Sequence, residues 1–389
     1  MRFRSAAIVV LDGVGCGGAP DAAAFGDEGS DTLGNTARAV GGLQLPNLAR
    51  LGLGNLADIE GVPPAPDPAA SWGRLRESAP GKDTTTGHWE LSGVVLTAPM
   101  PTYPDGFPPD VMAMFEKAAG VPALSNEVAS GTEIIQRLGE EHQRTRRPIV
   151  YTSADSVLQI AAHEETWPLP ELYSLCRRCR AALTGEHAVG RVIARPFVGA
   201  PGSYARTTNR RDFSLEPPGT TILDRVSAAG HAVVSVGKID DIFAGRGVTR
   251  SHHVLPNEEC VDATVQAIRE IDTGLVFTNL IEFDMYFGHR NDPEGMAGCL
   301  RQLDARIPEL TEAAGSDTLL IFTADHGNDP TTPSTDHSRE EVPLVVWTGG
   351  RGVPLGTRPS FADVGATICD ALDLPPLASG QSFLADLPA

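Results

Sequence analysis

The densest chemistry in the chain lies between Thr318 and His337. There an apolar run, Leu319-Leu320-Ile321-Phe322, breaks into Thr323-Ala324-Asp325-His326-Gly327-Asn328-Asp329, and another imidazole follows in Thr335-Asp336-His337-Ser338. Carboxylate oxygens and imidazole nitrogens are the donors that Zn2+ or Mn2+ accepts. Alone, Asp-His-Gly also reads as a strand-end turn with a satisfied histidine. Two further stretches tip the balance. Ala6 to Leu11 is apolar and ends in Asp12 before Gly13-Val14-Gly15-Cys16-Gly17-Gly18, and Leu275 to Ile281 runs into Glu282-Phe283-Asp284-Met285-Tyr286-Phe287-Gly288-His289. Asp12, Asp284, His289, Asp325, His326 and His337 are six donors, enough for two metal ions. Two adjacent ions suit in-line displacement at phosphorus, because they polarise phosphoryl oxygens and lower the pKa of a hydroxyl between them. Thr84 is the candidate hydroxyl, in Gly81-Lys82-Asp83-Thr84-Thr85-Thr86-Gly87-His88-Trp89-Glu90-Leu91. The three threonines read structurally as the N-cap of a helix. Functionally, they place a hydroxyl at the positive end of that helix, where free N–H groups stabilise a phosphoryl group.

The elements that position these residues read as alternating strands and helices. Strands are expected at Ala6 to Leu11, Trp72 to Leu75, His231 to Val236, Leu275 to Ile281, Leu319 to Phe322 and Val342 to Trp347. Helices are expected at Leu45 to Leu56, Ile222 to Ala229, Glu294 to Ala314 and Phe361 to Leu372. This rhythm predicts a parallel, doubly wound sheet, in which ligands gather beyond the carboxyl ends of the strands. From Pro99 to Phe213 the texture changes to Pro-rich joins, with expected strands at Pro148 to Tyr151 and Val189 to Phe197 and a helix at Leu169 to Ala182. The expected organisation is a core of residues 1–98 and 214–389 with an inserted domain of residues 99–213. Arg191, Arg195, Arg206, Arg210 and Arg211 lie in the insertion. They read as a solvated surface, or as guanidinium forks that a lid brings to a phosphate.

Composition narrows the function classes. At 389 residues, 41% hydrophobic and 21% charged, the chain is long enough for two globular domains. A net charge of -19 argues against nucleic acid, which is held by clustered Lys and Arg, but suits a small anion held by metal. With no run of 18 or more apolar residues, no membrane span is expected, and the apolar stretch before Asp12 is too short for a signal peptide. The six cysteines, Cys16, Cys176, Cys179, Cys260, Cys299 and Cys369, show no paired framework, so a reducing cytoplasm is expected. Cys176-Arg177-Arg178-Cys179 is a lone CxxC in a helix and reads as helix filler. The glycines after Asp12 spell neither GxGxxG nor a P-loop.

Over essentially its whole length the chain resembles the phosphopentomutases of the alkaline phosphatase superfamily. The resemblance rests on Asp12-Gly13-Val14-Gly15, Phe25-Gly26-Asp27-Glu28-Gly29-Ser30-Asp31-Thr32, the Gly81 to Glu90 segment, Tyr151-Thr152-Ser153-Ala154-Asp155-Ser156, Phe287-Gly288-His289-Arg290 and the Thr323 to Asp329 segment. It implies an α/β fold: an alkaline phosphatase-like doubly wound core sheet with an inserted smaller α/β cap domain. It implies an isomerase that interconverts ribose 1-phosphate and ribose 5-phosphate, and the 2-deoxy forms, in nucleoside salvage and pentose phosphate metabolism. Thr84 would be the phosphorylated nucleophile, primed by a sugar 1,5-bisphosphate or glucose 1,6-bisphosphate. Two Mn2+ ions, or other divalent ions in their place, would be held by Asp284, His289 and His337 and by Asp12, Asp325 and His326 with Thr84. Ser153, Asp155, Arg191 and Lys238 carry over as sugar and phosphate contacts, and Arg206 and Arg210 are added from charge. Pentose phosphates are the expected partners and a monomer the expected state. Cys16 stands where an aliphatic residue is expected. Two alternatives remain: a two-metal phosphatase or cofactor-independent phosphoglycerate mutase of the same superfamily, and a catalytically silent metal-binding or sugar-phosphate-sensing protein. Against the mutase, no serine occupies a matching nucleophile segment and the chain is short for it. Against the silent protein, no ligand or nucleophile is missing.

Overall fold

The computed structural model describes residues 2–153 and 155–388. The chain forms two compact units, Met1–Ala98 with Pro217–Ala389, and Pro99–Glu216. In the larger unit, eight strands lie in the order Arg250–His252, Ala232–Val236, Gly274–Leu280, Ser5–Leu11, Thr318–Thr323, Val342–Trp347, Ser71–Leu75, Pro354–Arg358. The first five are mutually parallel. Every residue of Ser5–Leu11, Gly274–Leu280 and Thr318–Thr323 is buried, as apolar strands covered on both faces require. Leu11 is level with Leu280 and Val10 with Thr323, so the three chains leave the sheet side by side. That register brings the segments after them to one place.

Two expectations are corrected. Val342–Trp347 runs antiparallel to Thr318–Thr323, not parallel. The connection between them contains no helix, and only a crossover would return the chain in the parallel sense. The helix expected over Leu45 to Leu56 is two, Pro46–Leu51 and Leu53–Leu56. Gly52 breaks it in a left-handed conformation with φ 107°, where a β-carbon would press to 3.2 Å on Pro68 and 3.3 Å on Trp72.

The smaller unit is built on a six-stranded mixed sheet, Ser125–Val128, Ile149–Thr152, Val157–His163, Arg191–Val198 and Ala205–Arg206, with Arg211–Ser214 also paired to Arg191–Val198. That last pairing carries the unit past Phe213, to a boundary between Glu216 and Pro217. Helices Pro109–Ala119 and Leu169–Ala182 supply Val111, Phe115, Leu172, Leu175, Cys176 and Cys179 to one apolar cluster. Helix Gly131–Thr145 supplies Ile134 and Ile135 to a second, with Tyr151, Phe197 and Tyr204. Cys176 and Cys179 are free thiols inside the first cluster, and burial pushes the Cys179 thiol up to about 12. Among the described residues no helix is long and apolar enough to cross a membrane.

His142, fully buried, locks the helix to the sheet in this unit. Its Nδ1 donates to the Arg147 carbonyl at 2.7 Å and its Nε2 accepts the His163 amide at 2.9 Å. Both nitrogens are satisfied only in the neutral ring, and burial lowers its pKa to about 4. Because the folded value lies below the unfolded 6.5, the stabilisation is full above pH 6.5 and is lost as pH falls through 4. We expect a loss of about 3 kcal/mol from this group across that window. His142→Gln, which cannot charge, should lack that share of the acid sensitivity. Amide hydrogen exchange across residues 131–163 at pH 6.5 and pH 4.5 measures it, and identical pH dependences in the two proteins would contradict it.

Candidate active site

The three strand ends converge. Asp12 follows Ser5–Leu11, Asp325 and His326 follow Thr318–Thr323, and Asp284 sits on a helical turn, Phe283–Phe287, after Gly274–Leu280. His326 Nε2 lies 3.4 Å from Asp12 Oδ1 and 3.3 Å from Asp325 Oδ2. His337 Nε2 lies 3.4 Å from Asp284 Oδ1, and His289 Nε2 3.1 Å from Asp284 Oδ2. Among the described residues, ligand-type atoms form two groups within 4.8 Å, Asp12 with Asp325 and His326, and Asp284 with His326 and His337. His326 belongs to both. Asp12, Asp325 and His326 are at most 1% exposed.

Charge in this pocket is strongly perturbed. Burial, then the Asp325 carboxylate, pushes Asp12 upward. For Asp284 burial acts upward too, but His337 and His289 outweigh it and hold the carboxyl well below its usual range. His289 is pushed up to about 9, chiefly by its hydrogen bond with Asp284. Burial lowers the His326 pKa, and the carboxylates of Asp325, Asp12 and Asp284 more than reverse that. Every shift expresses one need: three crowded carboxylates demand positive charge beside them.

Thr84 stands at the edge of this cluster. It opens the helix Thr84–Leu91, and its Oγ1 is 3.1 Å from His326 Nε2. The cap of this helix is Asp83, not a threonine as expected: Asp83 Oδ1 accepts from the Thr86 amide at 3.0 Å and Oδ2 from the Thr86 hydroxyl at 2.6 Å. A carboxylate outcompetes a hydroxyl for those N–H groups at the positive helix end. Thr86 is thereby tied down, while Thr84 faces His326.

Several residues that the sequence reading passed over hold this arrangement. Asn328 donates to Asp284 Oδ1 at 2.7 Å. Glu90 accepts from the amides of Ser78, Ala79 and Phe361 at 2.9, 2.7 and 2.9 Å, fixing the helix to its neighbours. Arg339, two residues after His337, donates to the carbonyls of Ala79 and Gly81 at 2.8 and 2.6 Å and to Glu77 Oε2 at 2.6 Å. It therefore clasps the loop that leads into Thr84. Glu90 and Asn328 lay inside segments already singled out. Nothing local marked Arg339, whose partners are remote in sequence.

The other predicted residues fall into separate places. In the smaller unit, Arg191 lies 3.5 Å from Asp155 Oδ2 and 3.6 Å from Asp212 Oδ2, and Arg210 pairs with Asp212 at 2.6 Å. Burial raises the Tyr151 phenol against the pull of Arg206, Arg195 and Arg210 nearby. Ser153 follows the strand Ile149–Thr152. Lys238 belongs to the larger unit, just ahead of the short helix Ile239–Ile242.

A family model described as Metalloenzyme superfamily matches residues 4–376. A phosphopentomutase from Anaeromyxobacter sp. (strain K) is 56% identical, covering 99% of both chains. The chain belongs to the phosphopentomutase family. A second member, from Caldanaerobacter subterraneus subsp. tengcongensis, is 52% identical over 98% of this chain and 97% of its own. Among solved structures, a phosphoglycerate mutase from Leishmania mexicana aligns with a TM-score of 0.49 and 12% identity, over 98% of this chain and 97% of that one. The family read from the motifs is thus the one the relatives name, and the protein is an enzyme of the isomerase class.

Within this cluster, Gly87 sets how closely the helix that opens with Thr84 approaches the strand end. A β-carbon there would lie 2.0 Å from the Asp325 carbonyl oxygen. Gly87→Ala therefore pushes the helix off Asp325, and we expect a destabilisation of about 1–3 kcal/mol, despite alanine's better helix propensity, with a loss of turnover. Thermal unfolding and steady-state kinetics test this. Wild-type values in both would contradict the close approach.

Proposed function

We propose that the protein interconverts ribose 1-phosphate and ribose 5-phosphate, and their 2-deoxy forms, through a phosphothreonine at Thr84 beside two divalent metal ions. The observation that carries the reading is the 3.1 Å approach of Thr84 Oγ1 to His326 Nε2 at the rim of a buried set of metal-type donors. The donor set fits such ions. Asp12 Oδ1, Asp325 Oδ2 and His337 Nε2 are buried and have no hydrogen-bond partner among the described residues, a costly state unless something else engages them. The His289 Nδ1 is bonded to the Thr335 carbonyl at 2.7 Å and the His326 Nδ1 to the Gly327 carbonyl at 3.0 Å, which turns each Nε2 to the cluster, where it offers a lone pair once a cation displaces its proton. Asp12, Asp325 and His326 would hold one ion and Asp284, His289 and His337 the other, manganese being the proposed metal. When bound, the ions supply charge that polarises the phosphoryl oxygens and lowers the pKa of the Thr84 hydroxyl.

In the proposed cycle, phospho-Thr84 gives its phosphoryl group to the free hydroxyl of a bound pentose phosphate. The Oγ–P bond breaks, a P–O bond to the sugar forms, and the proton released from the sugar hydroxyl is matched by one taken up at Oγ. The resulting 1,5-bisphosphate returns its other phosphoryl group to Thr84. A sugar 1,5-bisphosphate or glucose 1,6-bisphosphate would prime the unphosphorylated enzyme. Ser153, Asp155, Arg191, Arg206 and Arg210, with Lys238, are the proposed sugar and phosphate contacts. The charge on Arg191 is opposed by two carboxylates at 3.5 and 3.6 Å, so a phosphate would compete for a guanidinium already oriented. All six cysteines are free, in keeping with a cytoplasmic setting.

Thr84→Ala should abolish mutase turnover while metal content stays near normal, since the six side-chain donors remain. Intact-mass measurement and phosphosite mapping after incubation with a sugar 1,5-bisphosphate should place one phosphate on Thr84 of the wild type. Substantial activity in Thr84→Ala, or phosphate on Thr85 or Thr86, would overturn the assignment.

A further inference from the structure

His88 and Asn279 are fully buried polar side chains against the proposed site, and the cycle above uses neither. His88 lies one helical turn beyond Thr84, and its ring stacks on Phe277 at 5.8 Å between centroids. Asn279 belongs to the strand Gly274–Leu280. Asn279 Nδ2 lies 2.7 Å from Asp12 Oδ2 and 3.4 Å from His88 Nε2. His88 Nδ1 lies 2.8 Å from the Thr84 carbonyl oxygen and 3.1 Å from Asp325 Oδ2.

These contacts fix which atoms carry protons. An ionised carboxylate only accepts, so Asn279 must turn its amide nitrogen to Asp12. That nitrogen only donates, so the His88 Nε2 that also faces it must offer a lone pair. The ring proton is then on Nδ1, where it is donated to the Thr84 carbonyl. Asp325 Oδ2 lies 3.1 Å from the same nitrogen, and no hydrogen bond of good geometry occupies it among the described residues. The N–H dipole therefore attracts this oxygen without occupying it. One network thus joins the backbone of the nucleophile to both carboxylates that flank His326.

We infer that His88 and Asn279 are a positioning pair, which fixes the Thr84 backbone and the Asp12 and Asp325 carboxylates relative to one another while leaving one oxygen of each carboxylate open to a cation. The inference rests on the reading proposed above. It deepens that reading by naming what sets the geometry. The role is hydrogen bonding and not packing, and the two give opposite orders for a pair of variants. Asparagine at 88 keeps an N–H near the Nδ1 position but leaves unfilled volume; leucine fills more of the volume and has no N–H.

The test is Mn2+ affinity, measured by competition with a chelator on the full-length protein, together with kcat and KM. His88→Leu should bind Mn2+ about 10–100-fold more weakly and lose kcat with KM nearly unchanged, and His88→Asn should recover at least about tenfold of the affinity lost. Wild-type affinity in His88→Leu, or deficits in His88→Asn as large as those in His88→Leu, would overturn the inference in favour of simple packing. Should His88→Leu fail to fold, Asn279→Leu, close to isosteric, serves in its place: about a tenfold weaker Mn2+ affinity is expected, and an unchanged one overturns the pair. Failure of the underlying reading looks different. There the wild type itself would bind no Mn2+ at stoichiometric levels.

Discussion

Asp12, Asp284 and Asp325 meet in a pocket where none is more than 6% exposed, and their mutual repulsion is the constraint on which the larger unit is built. A buried carboxylate without a partner is costly, by several kcal/mol even after relaxation. Imidazoles of His289, His326 and His337 stand within 3.1 to 3.4 Å of these oxygens. They offset part of that cost and, when neutral, present lone pairs in the same directions. The rings of His326 and His337 are 3.9 Å apart and stacked. Divalent cations among these atoms would relieve the crowding of the carboxylates.

Holding such a cluster requires rigid supports, and these are of three kinds. The strand register levels the tips of Ser5–Leu11, Gly274–Leu280 and Thr318–Thr323. Gly13, with φ 74°, lets the chain turn after Asp12 where a side chain would press against Asn328 and Asp284, and its amide donates to Asp325 Oδ1 at 3.2 Å. Charged clasps then fix the surrounding loops. Arg339 is 4% exposed and joins Asp21, Glu77 and the loop before Thr84. Glu340, pushed up to about 7 by burial, accepts from the Thr32 amide and hydroxyl and from Ser338. Placing Thr84 is thus the work of residues that never approach it.

What the sequence disclosed follows from how local each signal is. Buried parallel strands are continuous apolar runs, so Ala6 to Leu11 and Leu319 to Phe322 were read nearly to the residue, and with them the carboxylates at their ends. The helix Leu169–Ala182 was found at its true bounds because its apolar spacing is regular. Within the smaller unit, Val157–His163 and Gly131–Thr145 went unread. The first carries Gln159 and His163 among its buried residues; the second is a strongly polar helix with a narrow apolar stripe. The direction of Val342–Trp347 was hidden because the pattern of a buried strand is the same either way. The break at Gly52 was legible only as a glycine inside a helical pattern, which helices also tolerate. Arg339 and Asn279 act through partners far away in the chain, as Glu340 does through Thr32, and no local pattern announces such contacts.

The central claim is that these six side chains form a site for two ions beside Thr84. Anomalous difference maps from crystals grown with Mn2+ test it most directly. The account predicts two manganese peaks, one bounded by Asp12, Asp325 and His326 and one by Asp284, His289 and His337, with Thr84 Oγ adjacent to the first. A single peak, or none within this cluster, would contradict it.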